Sequence, residues 1–417
     1  MPHVLFISGA IGLGHATRDL AIARALRALV PDVRVDWLAA DAARDVIRDA
    51  GETLLPEAAR YTSGMGAVEF SADGFVLNLA NPRHLLRIGP GLHQMLRFKR
   101  DLEANVSAFK DVTRRTAFDL IVGDETYELA YVLARNPALR TAPFALIVDF
   151  VGVEAMTRNP IERAIVHVAN RGWAALLTRV PPVCDLILFV GEEADVPDTP
   201  FGFRLPNRRE SARRGVEFLG YICPFDVAAY ADKAAVRARL GYGEEPLVVC
   251  SVGGTAVGAA LLELCGSAFP LLRERSPTLR MVLVCGPRIS PASLDVPPGV
   301  EVRGYVDRLY EHLAVSDLAV VQAGGTTTLE LTALRRPFLY FPLEEHFEQQ
   351  VHVAGRLARH GAGVRMRYSE TTPASLAAAI LANLGQDVSY PPIQTGGAQR
   401  AAELLARRLA PRAGGAS

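Results

Sequence analysis

VQAGGTTTLELTALRRPFLYFPLEEHFEQQVHVAGRLARHGAGV, residues Val321 to Val364, is the stretch that decides how this chain is read. An apolar run ends at Gly324-Gly325, three threonines follow, and then a helical pattern begins. A second apolar run, "RPFLYFP", leads through an acidic loop into another helix. Strand, glycine turn and helix in that order place free backbone N–H groups at a helix N-terminus. The hydroxyls of Thr326, Thr327 and Thr328 are expected beside them. Such a cradle suits an anion, and a diphosphate best. Glu330 falls six residues past Gly324, inside the helix, where a carboxylate can accept two hydrogen bonds from a ribose diol. Gln349 and Gln350, after the second strand, are placed to donate to sugar hydroxyls. A glycine turn between strand and helix is common in α/β proteins that bind nothing there. The coincidence of turn, acid and glutamine pair is what points to a nucleotide-sugar site.

The totals suggest two domains, possibly three. The chain has 417 residues, half of them hydrophobic, enough for two cores. Basic and acidic side chains balance at 45 each, so no cationic surplus marks a nucleic-acid binder. The five cysteines (Cys184, Cys223, Cys250, Cys265 and Cys285) form no C-x-x-C pair and sit mostly in apolar runs. Buried thiols in a reducing, cytoplasmic compartment are expected. No apolar run is long enough to span a membrane, and the N-terminus goes directly into a strand, "HVLFIS".

Apolar runs alternate with helical patterns along the whole chain, the grammar of parallel α/β sheets. Residues 1–217 read as one doubly wound domain, 218–235 as a linker and 236–395 as a second such domain. A final helix and flexible tail occupy 396–417. Both halves restart with strand, glycine turn and helix, and two Rossmann-like domains facing a cleft are expected. In such sheets ligands bind beyond the carboxyl ends of the strands.

Two further glycine turns lie at such ends. The first, Gly9 to His15, includes Gly12 and Gly14 and is followed by a helix from about Ala16. Its G-x-x-G-x-G spacing departs from the dinucleotide fingerprint, which makes a dehydrogenase a poor reading even with Asp41 downstream. His15 is the candidate base. The positive end of a helix disfavours its charged form, and an imidazole there can take a hydroxyl proton. Asp124, closing the run "FDLIVGD", is the candidate to orient the ring, with Glu125 as the alternative. Each has a plainer role open to it, His15 as a capping or phosphate-contacting residue and Asp124 as a helix cap. The second turn, Gly253-Gly254-Thr255 after Ser251, is a further phosphate-loop candidate. Arg288 on a loop could meet a phosphate.

The Val321–Val364 segment resembles the donor signature of GT-B glycosyltransferases, and family 28 most closely. Glu330, Pro337, Pro342 and Gln349-Gln350 stand at that family's spacing, whereas the plant-type signature places its acid–glutamine pair two residues earlier. The resemblance is specific over Val321–Val364 and looser over Ser8–Arg18. It implies an inverting transfer from a nucleoside-diphosphate sugar, most naturally UDP-linked, to a hydroxyl acceptor, with no cofactor. In related enzymes an Asp after a comparable strand orients the base. The resemblance also assigns Ser251, Gly253, Gly254 and Thr255 to the diphosphate, and Val306, beside Tyr305, to the base edge through its backbone.

No D-x-D occurs, and His346 and His352 among Glu344, Glu345 and Glu348 fit no metal motif, so no metal is expected. The acceptor is left as a small molecule or a lipid-linked one. His84–Lys110 mixes basic and apolar residues. It reads either as an ordinary helix packed on the sheet or as a peripheral membrane contact. The motif Gly14-His15-Ala16-Thr17-Arg18 also occurs in nucleotide-sugar hydrolases. A hydrolase, an epimerase or a non-catalytic nucleotide-sugar-binding subunit therefore remain rival readings. Sugar, pathway and oligomeric state are not legible.

Overall fold

The computed structural model describes residues 1–9, 13–62, 70–71, 74–75, 88–253, 258–344 and 346–409, without the side chains of 41–42, 70–98 and 161. The chain forms two compact units, and it passes from the first to the second after Pro224.

The first unit is built on seven parallel strands. In spatial order they are Thr53–Leu54, Arg34–Ala39, His3–Ser8, Leu120–Asp124, Phe144–Val148, Leu186–Phe189 and Glu217–Phe218. The central strands are buried along their whole length, because helices cover both faces. That is why they read as unbroken apolar runs.

The helix Leu13–Leu29 lies on one face and buries Leu20, Ile22 and Leu26, each contributing about 1.5–3 kcal/mol. It packs against the C-terminal helix Gly397–Leu409, whose Ala401, Ala402 and Leu405 share the same cluster. The terminal helix therefore belongs to the first unit. On the other face Ala108, Phe109 and Val112 of the helix Ile88–Arg115 join the core. Most of the apolar and basic side chains of His84–Lys110 belong to residues 84–98, whose side chains the structure does not describe. Among the described residues no helix is long and apolar enough to cross a membrane.

The second unit repeats the plan with six parallel strands, ordered Glu301–Arg303, Arg280–Val284, Leu247–Ser251, Leu318–Gln322, Phe338–Phe341 and Val364–Arg365. In each sheet the order reverses between the first strand and its neighbour. In the first unit this happens between His3–Ser8 and Leu120–Asp124. In the second it happens between Leu247–Ser251 and Leu318–Gln322. A crevice opens beyond the strand ends at such a point, since the connecting helices leave on opposite faces.

One boundary differs from expectation. The first helix starts at Leu13, so Gly14 and His15 lie within its opening turn and not ahead of it. The opening turn accepts a glycine because its N–H groups lack intrahelical partners in any case.

Candidate functional site

At the reversal point of the first unit, Ser8 and Asp124 lie side by side in register at the ends of neighbouring strands. Gly123 makes the approach to Asp124 possible. A Cβ there would lie 2.1 Å from the Thr126 hydroxyl, so the sharp turn after the strand admits no side chain. The Asp124 carboxylate is fully buried and faces two partners. His15 Nδ1 stands 3.2 Å from its Oδ2, and Arg18 donates from Nε at 3.0 Å to the same oxygen and from Nη2 to the other. Arg18 also donates from Nη1 to Asp149 Oδ2 at 3.0 Å. That oxygen is 3.9 Å from His15 Nε2. The imidazole is thus set between two carboxylates, one at each nitrogen, and Arg18 ties both together.

The electrostatics follow from this wiring. Burial works against ionising Asp124 and Asp149, but the Arg18 guanidinium and the His15 ring outweigh it and hold both carboxyls below the usual range. Burial likewise opposes the charge on Arg18, and the same two carboxylates overcome it and raise its pKa. Two more acids behave oppositely. Burial, reinforced by Asp124, pushes Asp19 well up, and burial, reinforced by Asp149, does the same to Glu125. Asp19 accepts from the Ser8 hydroxyl at 2.7 Å. Glu125 sits in left-handed backbone at φ 52°, which costs a non-glycine residue about 1–2 kcal/mol. Arg18 is thus the shared counter-charge of Asp124 and Asp149, and both of these carboxyls face the His15 ring.

His15, Glu125 and Asp149 also offer ligand atoms that all lie within 4.8 Å of one another, a grouping that could hold a metal ion. Arg18 already occupies one side of Asp149 as the counter-charge. His346, by contrast, takes the Gln349 N–H on Nδ1 at 3.4 Å, and burial pushes its ring down to about 4.

The second unit presents the other half of the expected residues at its own reversal point. Gly324 caps the helix Gly325–Ala333 with no side-chain cap, so the opening N–H groups stay uncommitted. Thr326 and Thr327 are half-buried in that first turn. Thr328 is a correction: its hydroxyl bonds back to the Gly324 carbonyl at 2.8 Å, leaving two open hydroxyls instead of three. Glu330 is buried, its carboxyl has no hydrogen-bond partner among the described residues, and burial alone pushes it up to about 8. A buried acid without a partner is costly unless a ligand supplies one.

Ser251 closes its strand and accepts weakly from Gly253 N at 3.4 Å. Gly253 adopts φ +73°, which only glycine takes without strain. Gly12, Gly254 and Thr255 lie outside the described residues. Arg288 is exposed on its loop, Tyr305 is half exposed, and Val306 packs on the core of the second unit.

The glutamines divide. Gln350 spends its amide on the Leu343 carbonyl, at 2.9 Å, and on Arg365. Gln349 accepts from Leu343 N at 2.9 Å, and its Nε2 is left for another acceptor. Both sit in a π-helical turn, Glu348–Val353, a local widening frequent at functional sites.

Sequence reasoning missed two residues here. Asp149 follows the apolar run "PFALIV" just as Asp124 follows "LIVG", and that shared strand-end position was the available signal. Gln322 closes the strand before Gly324. It is buried, and neither amide atom has a partner among the described residues. Nothing in the sequence separates it from an ordinary strand-end glutamine.

Known proteins resemble this chain in sequence and in fold. Residues 248–403 match the family model described as the glycosyltransferase family 28 C-terminal domain. An uncharacterized glycosyltransferase of Methanopyrus kandleri is 28% identical over 358 residues, 85% of this chain and 91% of its own. The UDP-N-acetylglucosamine–N-acetylmuramyl-(pentapeptide) pyrophosphoryl-undecaprenol N-acetylglucosamine transferase of Mycolicibacterium smegmatis is 26% identical over 352 residues, 81% of this chain and 74% of its own. Among solved structures, the glycotransferase of kitacinnamycin has a TM-score of 0.62 at 19% identity, covering 98% of this chain and 100% of its own. A spinosyn rhamnosyltransferase complexed with thymidine diphosphate has a TM-score of 0.54 at 16% identity, covering 98% and 96%. At such identities the two structures speak for the fold alone.

Proposed function

We propose, from the premise that this chain is a glycosyltransferase with a family 28 C-terminal domain and the GT-B fold, that it moves a sugar from a UDP-sugar to an acceptor hydroxyl with inversion. The observation that carries the reading is the His15 Nδ1 contact with the buried Asp124 at 3.2 Å. An N–H at Nδ1 held by a carboxylate leaves Nε2 as the basic nitrogen, and the same carboxylate stabilises the imidazolium that forms. In the transfer the acceptor O–H bond breaks and its proton goes to His15 Nε2. The acceptor oxygen bonds the anomeric carbon from the face opposite the leaving group. The bond from that carbon to the diphosphate breaks, and the diphosphate leaves with the electron pair.

The second unit would carry the donor. The N–H groups opening the helix Gly325–Ala333, the Thr326 and Thr327 hydroxyls and the Gln322 amide are the groups to meet the diphosphate charge. Glu330 is the group for the ribose diol and Gln349 Nε2 for the sugar. The donor is the co-substrate, and neither a metal nor a cofactor takes part. The acceptor, a small molecule or a lipid-linked hydroxyl, belongs to the first unit with His15.

The test is a panel of UDP-sugars with and without acceptors, followed by mass spectrometry. Acceptor-dependent product of inverted configuration is expected, lost in His15→Ala while calorimetric donor binding persists. Rapid stoichiometric release of free sugar without acceptor would make the protein a hydrolase instead. Donor binding without turnover, unchanged in His15→Ala, would make it a binding subunit.

A further inference from the structure

The first unit carries a second surface that has no part in the proposed transfer. The helix Pro160–Thr178 follows the strand Phe144–Val148 and buries Trp173, Ala174 and Leu177 in the core. Its opposite side faces solvent and yet is apolar. Ile165 is 44% exposed and Val168 69%, and exposed alanines and Gly172 fill the positions around them. One edge of this stripe is basic. Arg163 and Arg171, exposed, flank His167 in an i, i+4, i+8 row. Glu162, the one acid in the helix, is turned inward and accepts from Met156 N at 2.7 Å and Thr157 N at 3.0 Å.

Beyond the basic edge stands a tight turn, Gly202 to Leu205. Leu205 N donates to the Gly202 carbonyl at 3.1 Å, and below it Phe201 N donates to Pro206 O at 2.9 Å. The buried Asn170 of the helix donates to Phe201 O at 2.7 Å and fixes the base of the turn. A Cβ on Gly202 would lie 3.0 Å from the His167 ring, so turn and helix are in direct contact. At the tip Phe203 is 78% exposed, with the Arg204 guanidinium 5.0 Å from its ring. Arg204 is held at φ 57°, a strained backbone that the two hydrogen bonds beneath it maintain. The tip thus presents an aromatic ring and a cation on a rigid support. The acids near its base are already paired, Asp198 with Arg209 and Glu154 with Arg208.

Three large apolar side chains and three arginines, with no exposed acid on the helix or the turn, fit a partner that is both apolar and anionic. A second copy of this chain docked through the same face would set arginine against arginine. A bilayer containing anionic lipid offers acyl chains to Phe203, Ile165 and Val168 and headgroups to Arg163, Arg171 and Arg204. The helix is not long and apolar enough to cross a membrane, so it would lie in the headgroup layer. We propose that this face of the first unit is a docking surface for an anionic lipid bilayer. The proposal goes beyond the transfer reading and stands without it.

The test is co-sedimentation of the full chain with vesicles of phosphatidylcholine alone and of an equimolar mixture with phosphatidylglycerol. Binding to the mixed vesicles only is expected, weakened by added salt. Phe203→Asp should lower the partition coefficient about 10- to 100-fold, the worth of one buried aromatic side chain. Arg163→Gln and Arg171→Gln together should lower it about 25-fold, at roughly fivefold for each charge. These side chains are exposed, so the urea midpoint should hold. Should a variant fail to fold, Phe203→Trp reads the same contact, because Trp37 and Trp173 are both buried. Its fluorescence should shift to the blue on mixed vesicles and be quenched by brominated acyl chains. No sedimentation with mixed vesicles, equal binding to both vesicle types, or binding unchanged in the variants would each overturn the proposal. So would a lipid-free dimer that Val168→Glu dissolves, which would give the face to a second copy. UDP-sugar binding by calorimetry should persist in Phe203→Asp, so failure of the transferase reading shows up separately.

Discussion

If Glu330 holds the ribose of the donor, donor binding should be coupled to a proton, and this can be measured. The residue is 6% exposed, its carboxyl has no partner among the described residues, and burial pushes it up to about 8 from an ordinary 4.5 because it disfavours the charge. At pH 7 it is therefore roughly nine-tenths protonated before the donor arrives. If the ribose diol is held by the carboxylate, binding must first expel that proton. Donor affinity should then rise about tenfold per pH unit from pH 6 toward 8 and level off above, with nearly one proton released at pH 7.

Calorimetry with the best-binding UDP-sugar gives both quantities, using two buffers of different ionisation enthalpy. The phosphodiester groups of a UDP-sugar do not titrate in that range. In Glu330→Gln the profile should become flat. Stability should move the other way. Between 4.5 and 8 the folded chain holds a proton the unfolded chain has lost, so stability falls as pH rises through that window. The loss reaches about 3 kcal/mol by pH 7, and Glu330→Gln should be more stable than wild type there by an amount of that order. A pH-independent affinity in the wild type, or the same slope in Glu330→Gln, would refute the assignment of Glu330 to the ribose.

Other outcomes follow from the same geometry. Arg18→Ala should destabilise the first unit by about 3–5 kcal/mol in urea unfolding, because it strands the buried Asp124 and Asp149 charges together. Asp124→Asn should lower kcat far more than it raises KM, since it withdraws support from the imidazolium and leaves donor binding intact. Gln322→Leu should weaken UDP-sugar binding in calorimetry without loss of thermal stability, because it removes a buried amide that has no protein partner to lose. Turnover should be unaffected by EDTA or added Mn²⁺; strict dependence on a divalent ion would instead direct attention to His15, Glu125 and Asp149.

What could be read from residues alone followed from periodicity and spacing. Runs such as "LAVVQ" and "FLYF" are apolar throughout because both sheet faces are covered, and they announced parallel α/β units. The glycine turn, Glu330 and the glutamine pair sit within one segment of contiguous chain, so their spacing alone placed them together. His15 at its glycine turn and Asp124 at a strand end were already paired in the sequence reading as base and orienting acid, and the structure sets them 3.2 Å apart. Two things lay beyond that: that Arg18 locks Asp124 to Asp149, and that Gln350 is consumed by its own loop while Gln349 spends only its oxygen there. Those depend on contacts between residues 106 to 131 positions apart, or on the path of one loop. Local propensity carries no record of such contacts. Only when the sheet sets Leu120–Asp124 beside His3–Ser8, with Phe144–Val148 next in line, do the two carboxylates converge on one imidazole. The chain's own order of residues therefore determined the two-sheet plan and the strand, turn and helix of Val321–Val364. The pairing of charges in the first-unit site was decided by tertiary packing, because burial and through-space pairing push each acid in its own direction.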